Sequence, residues 1–250
     1  MDDERLFEIF MDIQRGLPRQ GPGNNDATLR ALAHCKSLPE NARVLDIGCG
    51  PGQQTLALAK ALDTHVTAVD YFQEFLDQLE ASAEAGGMTH QVTALQGDMN
   101  LLPFEPGDFD LIWAEGSAYI MGVDNALQTW KPLLHPGGYL ALTELTWLTD
   151  DPPADASAFF QAEYPAMKNV AGNLALFERA GYRVIEHFTL PDEAWWTDYY
   201  TPLSAKLPAK LEAFQDDEDA LGIARMTETE IDMRRRFGDA YGYEFFIAEI

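Results

Sequence analysis

The stretch DIGCGPGQQT, Asp46 to Thr55, decides how the rest of the chain is read. An acid is followed by glycines at every second position, Gly48, Gly50 and Gly52, between the apolar run RVLDI and a helical pattern over Thr55 to Leu62. Glycine costs chain entropy, so this density implies a backbone that turns sharply or approaches something closely. A strand ending in Asp46, a tight turn and a helix starting near Gln53 would bring backbone N–H groups and a helix N-terminus to one point. That point lies at the carboxyl edge of a parallel sheet, where ligands bind.

The flanking sequence supports such a sheet. From Arg43 onward, short apolar runs alternate with helical stretches: HVTAVD, a helix carrying Phe72, Phe75, Leu76 and Leu79, then VTALQGD (Val92 to Asp98) and FDLIWAEG (Phe109 to Gly116). A helix with Val123, Ala126, Leu127 and Trp130 leads to GYLALTEL (Gly138 to Leu145), giving five strands of an α/β fold. Past Trp147, DDPPADAS reads as a loop, a helix ends at RAGY (Arg179 to Tyr182), and YRVIEHFTL and YGYEFFIAEI read as two further strands. Between those strands, Pro191 to Arg236 reads as a helical insertion, with Arg234, Arg235 and Arg236 on a solvated face. Upstream, Leu6, Phe7, Phe10 and Met11 predict a short amphipathic helix, and Asn25 or Asp26 is placed to cap a second. Residues 1-250 thus read as a single domain, with 1-38 an N-terminal helical cover and 191-236 a cap insertion within it.

Charge narrows the partners. Seventeen Lys and Arg against 41 Asp and Glu give a net charge of -24, which repels nucleic-acid phosphates and anionic lipid surfaces. The two cysteines, Cys35 and Cys49, lie in different segments and suggest no disulfide framework. The acidic amino terminus and the lack of a long apolar run predict a cytoplasmic protein that acts on a small-molecule substrate without a membrane or nucleic-acid partner. A homodimer is compatible with this composition.

The glycine turn distinguishes two ligands. A dinucleotide site has G-x-G-x-x-G and holds a pyrophosphate, whereas this turn is G-x-G-x-G with Asp46 two residues ahead of the first glycine. A carboxylate there opposes a diphosphate but suits the cationic amino group of a methionine moiety, directly or through water. The spacing therefore favours a sulfonium cofactor.

At these residues the chain resembles the class I S-adenosylmethionine-dependent methyltransferases, over roughly Ala42 to Leu145. The run Asp46 to Gly52 looks like the family's first motif, with Thr55 in the helix that follows. Asp70, with Tyr71 beside it, is similar to the acid that takes the ribose hydroxyls, and Gly97-Asp98-Met99 to the element whose acid accepts from the adenine amino group. Leu134 to Gly138 is similar to the turn before strand five. The resemblance implies S-adenosyl-L-methionine as cofactor. It also implies a Rossmann-like seven-stranded mixed sheet of order 3-2-1-4-5-7-6, the last strand antiparallel, with helices on both faces and a helical cap. Asp110, entering strand four, reads as structural.

Methyl transfer by in-line displacement needs an oriented acceptor and excluded water rather than a covalent residue. The Asn/Asp-Pro-Pro-aromatic motif of amide and nucleobase methylating relatives is replaced by Ala114-Glu115-Gly116-Ser117. No ligand spacing among His34, His65, His90, His135 and His187 suggests a metal. Glu115 and Glu144 leave the ends of adjacent strands toward the ligand crevice. Glu115 either serves the acceptor as a base, with Tyr119 orienting it, or bonds the cofactor or a nearby loop. Arg19 either pairs the cofactor's carboxylate or is solvated. The aromatic run Trp195, Trp196, Tyr199 and Tyr200, with Trp147, forms either packing or a substrate wall. Two rival functions remain open on sequence: a non-catalytic S-adenosylmethionine-binding protein and a nicotinamide-dependent oxidoreductase.

Overall fold

The computed structural model describes residues 3–250. Its centre is strand β1 (Val44–Ile47), buried on both faces, as a strand between two helical layers must be. Around it β2 (Val66–Asp70), β3 (Val92–Gln96), β4 (Phe109–Glu115) and β5 (Leu134–Trp147) run parallel. A two-residue strand, β6 (Lys168–Asn169), pairs only with β5. The chain then returns through β7 (Arg183–Thr189) and β8 (Tyr241–Glu249). The order along the sheet is β3-β2-β1-β4-β5-β8-β7, with β8 antiparallel to both neighbours. With the short β6 set aside, this is the 3-2-1-4-5-7-6 order that the resemblance implied.

Strand alternation divides the core. Leu45, Ile47, Ile112 and Leu140 face α5 (Val123–Trp130) and α7 (Val170–Arg179), in one cluster with Trp130 and Phe177. Val44, Leu111 and Trp113 face α2 (Asn25–Leu32) and α3 (Gln53–Leu62), whose Ala27, Ala31, Leu58 and Ala59 let them lie close to the sheet. By the same period of two, Asp46 and Glu115 belong to the α2/α3 face, which fixes the neighbours of both carboxylates. Helix α4 (Gln73–Ala85) covers β2 and β3.

The N-terminal segment is shared between the two layers. Helix α1 (Asp3–Gln14) leaves the sheet and packs on the cap, whereas α2 lies against α3. Asn24, rather than Asn25 or Asp26, caps α2, accepting the Ala27 N–H at 2.8 Å. The cap is a short α8 (Glu193–Trp195), a π turn (Trp196–Tyr200), α9 (Thr201–Ala213) and α10 (Glu218–Phe237). Lys206 on α9 donates to the Ile13 carbonyl at 2.7 Å, satisfying an acceptor that the end of α1 leaves free. The segment expected as a loop after Trp147 is partly helical, since α6 (Ala154–Glu163) begins inside DDPPADAS.

The cap's core is built on Trp195, Tyr200, Tyr241, Leu203 and Ile231. Arg234, expected on a solvated face, is instead only 6% exposed. Its guanidinium lies 4.1 Å from the Trp195 ring centroid, donates to the Tyr241 carbonyl at 2.8 Å and meets Asp192 at 2.8 Å. Nothing in the run of three arginines distinguishes it; helical rotation does. Arg236, two residues on, makes only surface ion pairs with Asp155 and Asp232. Urea denaturation of Arg234→Ala should therefore show a loss of about 3 kcal/mol, because a buried carbonyl and an aromatic face lose their partner. Arg236→Ala should cost about 0.5 kcal/mol or less.

Candidate functional site

The glycine turn sits as expected, at the carboxyl end of β1, and each of its glycines has a separate reason. A Cβ on Gly48 would stand 2.4 Å from the Ser117 Cβ, where the end of β4 crosses the turn, and its φ of +70° is itself left-handed. Gly50, at φ +53°, has room for a Cβ but needs the conformation. Gly52, grouped with the cofactor residues on sequence, does not line the cavity: a Cβ there would meet Leu79 of α4 at 2.2 Å, so its role is helix packing.

The turn also spends its own donors. Gly48 and Cys49 donate to the Val69 carbonyl at 2.8 and 3.0 Å, Gly50 to Asp70 at 2.8 Å, and Gly52 to the Cys49 carbonyl at 3.0 Å. Pro51 has no N–H. The residues Gly48 to Gly52 therefore keep no free backbone donor, and Asp46 and Asp70 beside them are acidic, while the first N–H groups of α3, from Gln53 to Thr55, have no side-chain cap.

Asp46 is fully buried. Its Oδ2 accepts from Thr55 at 2.6 Å, and its Oδ1 has no partner. Burial pushes its carboxyl up to about 7, opposed by the Thr55 hydrogen bond and Arg19 and reinforced by Glu115 and Asp70. An orphaned buried carboxylate oxygen is a vacancy for a donor, best a cationic one. Arg19 carries a second unmet group: its side chain is 5% exposed and its Nε has no hydrogen-bond partner, with the Asp198 carboxylate 4.0 Å away. An ammonium and a carboxylate on one ligand would satisfy both.

Glu115 explains why Arg19 stands there. Its Oε2 accepts from Arg19 Nη1 at 2.8 Å, and its Oε1 from Thr28 Oγ1 at 2.5 Å and Trp113 Nε1 at 2.9 Å. Asn25 takes the other arm of Arg19 at 2.8 Å. Of the two sequence readings, the geometry matches the bond to a nearby segment, since three donors already occupy this carboxylate. Thr28, Trp113 and Asn25 were not foreseen in these roles: Trp113 precedes Glu115 by two residues on the same face of β4, whereas Thr28 reaches Glu115 and Asn25 reaches Arg19 from α2.

A cavity of about 350 Å³ runs from Arg19 and Gln20, past Glu115, Gly48 and Gly50, to Asp70 and Asp98, whereas Asp46 and Thr55, expected beside the cofactor, are fully buried and do not line it. Asp70 accepts from Gly50 and Phe72 N–H groups, at 2.8 and 3.0 Å, so one acid both closes the turn and faces the cavity. Burial raises its carboxyl, against those backbone bonds. Asp98 is exposed and accepts from both the backbone and side chain of Asn100 at 2.8 Å, which holds its carboxyl below the usual range. Tyr71, Met99, Ser117 and Tyr119 line the same cavity, and α1 roofs it with Phe7, Phe10 and Met11. The Phe7 ring stacks on Phe72 at 4.9 Å.

The expected substrate wall divides. Trp195 is buried in the cap core, Trp147 packs on Phe160 at 5.4 Å, and Trp196 turns outward to bond Asp192 at 2.9 Å. None of the three reaches the cavity. Tyr199 and Tyr200 are buried beside the cap's inner face, where Tyr200 donates to Glu230 at 2.7 Å. Glu144 is 2% exposed, accepts from Tyr164 at 2.7 Å, and is raised to about 7 by burial against that bond and the charge of Lys168. Among the described residues no three His, Cys, Asp or Glu side chains gather as a metal site, and no helix is long and apolar enough to cross a membrane.

Comparison with known proteins places this geometry. The family profile described as a methyltransferase domain matches residues 44–138. A sterol 24-C-methyltransferase of Aspergillus fumigatus is 26% identical over 206 residues, which are 78% of this chain and 53% of that one. An O-methyltransferase of Aspergillus nomiae is 28% identical over 65% of this chain and 74% of its own length. The chain thus spans about half the length of the sterol relative. A methyltransferase from Geobacter sulfurreducens, solved with S-adenosyl-L-homocysteine, shares the fold at a TM-score of 0.80, with 24% identity over 98% of this chain and 97% of that one.

Asp46 yields a pH test. Its carboxyl rises from 3.8 to about 7 on folding, so the folded chain holds a proton that the unfolded chain has released. Stability should then fall as pH rises from about 4 to about 7, by on the order of a few kcal/mol from this residue. Asp46→Asn should flatten that slope in melting temperature against pH, with the part due to Glu144 remaining.

Proposed function

We propose that this chain, whose residues 44–138 match a methyltransferase-domain profile, is a class I S-adenosylmethionine-dependent methyltransferase that methylates a small-molecule acceptor. The observation that carries this reading is the chemistry of the turn: every backbone donor from Gly48 to Gly52 is occupied, while Asp46 Oδ1 has no partner. That arrangement opposes a diphosphate and welcomes an ammonium. The rival nicotinamide reading needs the opposite polarity.

Residue roles follow from position. Asp46 and Arg19 would hold the amino and carboxylate groups of the methionine moiety, the former directly or through water. Gly48 and Gly50 let it approach the backbone, Asp70 would take the ribose hydroxyls, and Asp98 and Met99 would border the adenine. Phe7, Phe10 and Met11 exclude water from the cavity. When bound, this cofactor supplies an electrophilic methyl group on a positively charged sulfur. Glu115 acts as a positioning residue: it fixes Arg19 and closes α2 over the turn, rather than taking a proton. Tyr119, at the cavity rim, is left to orient the acceptor.

A small acceptor is favoured by the negative charge of -24, which repels nucleic acid, and by Ala114-Glu115-Gly116-Ser117 in place of the motif that serves amide and nucleobase substrates. The sterol acceptor named for one relative supports the same class.

Calorimetry should show S-adenosylmethionine binding with no association of NAD, and Asp70→Ala should weaken it at least about tenfold through loss of a charge-assisted hydrogen bond. Binding of NAD alone would overturn the reading. Formation of S-adenosylhomocysteine across amine, phenol and thiol acceptors separates an enzyme from a non-catalytic binder. Glu115→Gln should raise KM for S-adenosylmethionine while leaving the pH profile of kcat unchanged; a lost ionisation in that profile would instead make Glu115 a base.

A further inference from the structure

Beyond the cavity rim, two further carboxylates converge on the same group of tyrosines. Glu144 ends in β5 and accepts from Tyr164; Glu230 stands on α10 and accepts from Tyr200. Both act electrostatically on the hydroxyls of Tyr119 and Tyr243, which are raised first by burial and then by these charges among others. The rings adjoin: Tyr119 meets Tyr164 edge-on at 5.8 Å, and Tyr199 stacks on Tyr200 at 4.9 Å. A Cβ placed on Gly116 would lie 3.6 Å from the Tyr243 ring. Gly116 and Tyr119 also line the cofactor cavity, so the cluster adjoins it through Tyr119, with Glu144, Glu230 and the other tyrosines behind that ring.

The cluster is chemically incomplete. Among the described residues no lysine, arginine or histidine forms an ion pair with Glu144 or Glu230; the charge of Lys168 reaches Glu144 only at longer range. Every tyrosine here is shifted upward, so none supplies a negative charge of its own at neutral pH, and burial also raises both carboxyls, Glu144 to about 7, so that a nearby cation would favour their charged forms. Gln14, 2% exposed, adds an independent sign: its Nε2 contacts the Tyr199 hydroxyl at 3.4 Å, and its Oε1 has no partner. An amide oxygen buried in this wall without a donor points to a ligand that brings one.

We propose that this cluster is the acceptor subsite and that it takes a cationic amine, its ammonium facing the Glu144 and Glu230 carboxylates against the tyrosine rings. The proposal rests on the methyl-donor reading of the adjoining cavity. A cation restores the counter-charge that two sequestered carboxylates lack, and ring faces favour it further. A neutral alcohol or phenol of the same shape gains neither. The strongly acidic surface adds long-range attraction for such a substrate.

Matched isosteres test this on the full chain saturated with S-adenosylhomocysteine. Choline is compared with 3,3-dimethyl-1-butanol, and phenethylamine with 2-phenylethanol, by calorimetry. The ammonium member of at least one pair should bind about tenfold more tightly than its neutral partner. Glu144→Gln and Glu230→Gln should each reduce that preference about threefold or more, with S-adenosylhomocysteine affinity unchanged. Equal binding within both pairs, no binding of either cation at millimolar concentration, or a preference that survives both substitutions would overturn the proposal. Failure of wild-type protein to bind S-adenosylhomocysteine, measured in the same titrations, would count against the donor cavity and not against the cation preference, which the isosteres also report without it.

Discussion

The Glu115 carboxylate is the junction on which the rest depends. It stands at the tip of β4 and takes donors from its own strand, from α2 and from the loop that carries Arg19. Two buried charges are kept together there, and removing one would leave the other without compensation, at a cost of about 3 to 5 kcal/mol. Through this junction the N-terminal segment is bound to the ligand edge of the sheet. Arg19 is thereby held with one nitrogen unsatisfied, facing a turn whose acid is also unsatisfied.

That pair of unmet groups is the electrostatic signature of the cavity. A turn whose N–H groups were free would attract phosphate, as helix N-termini do. Here Val69, Asp70 and Cys49 consume those of Gly48 to Gly52, so the turn itself presents the acids Asp46 and Asp70, beside the uncapped start of α3. Desolvation acts on both acids in the same direction, raising them toward neutrality until a cation arrives. The sheet contributes the rest by topology, because the reversal of strand order at β1 and β4 opens a crevice at their carboxyl ends.

The cap joins the cavity to the tyrosine cluster. Helix α1 roofs the one with Phe7 and Phe10 and packs by Ile13 into the core that backs the other. The π turn at Trp196–Tyr200 carries two successive buried tyrosines, Tyr199 and Tyr200. Trp195 and Arg234 anchor this turn from behind, which explains why the tryptophans belong to packing while the tyrosines face the carboxylates.

Local sequence was sufficient for the sheet and the turn. Short apolar runs separated by helical stretches marked seven of the strands, and the resemblance supplied their order; the two-residue β6 and helix α6 escaped, the first too short to stand out as a run and the second hidden by the prolines before it. Gly48, Gly50, Asp70 and Asp98, which line the cavity, could be picked out because one short segment, or one strand end, carries each of them; Asp46 lies buried behind that lining. What tertiary structure alone decided is which groups meet from distant parts of the chain. Arg19 reaches Glu115 and Gln14 reaches Tyr199 across 96 and 185 residues. Gly52 serves Leu79 rather than a ligand, and Arg234 is buried beside two exposed arginines. Sequence spacing encodes which face a side chain takes on its own element; the partner waiting at that face depends on how the elements pack, and that is where the cavity's charges were set.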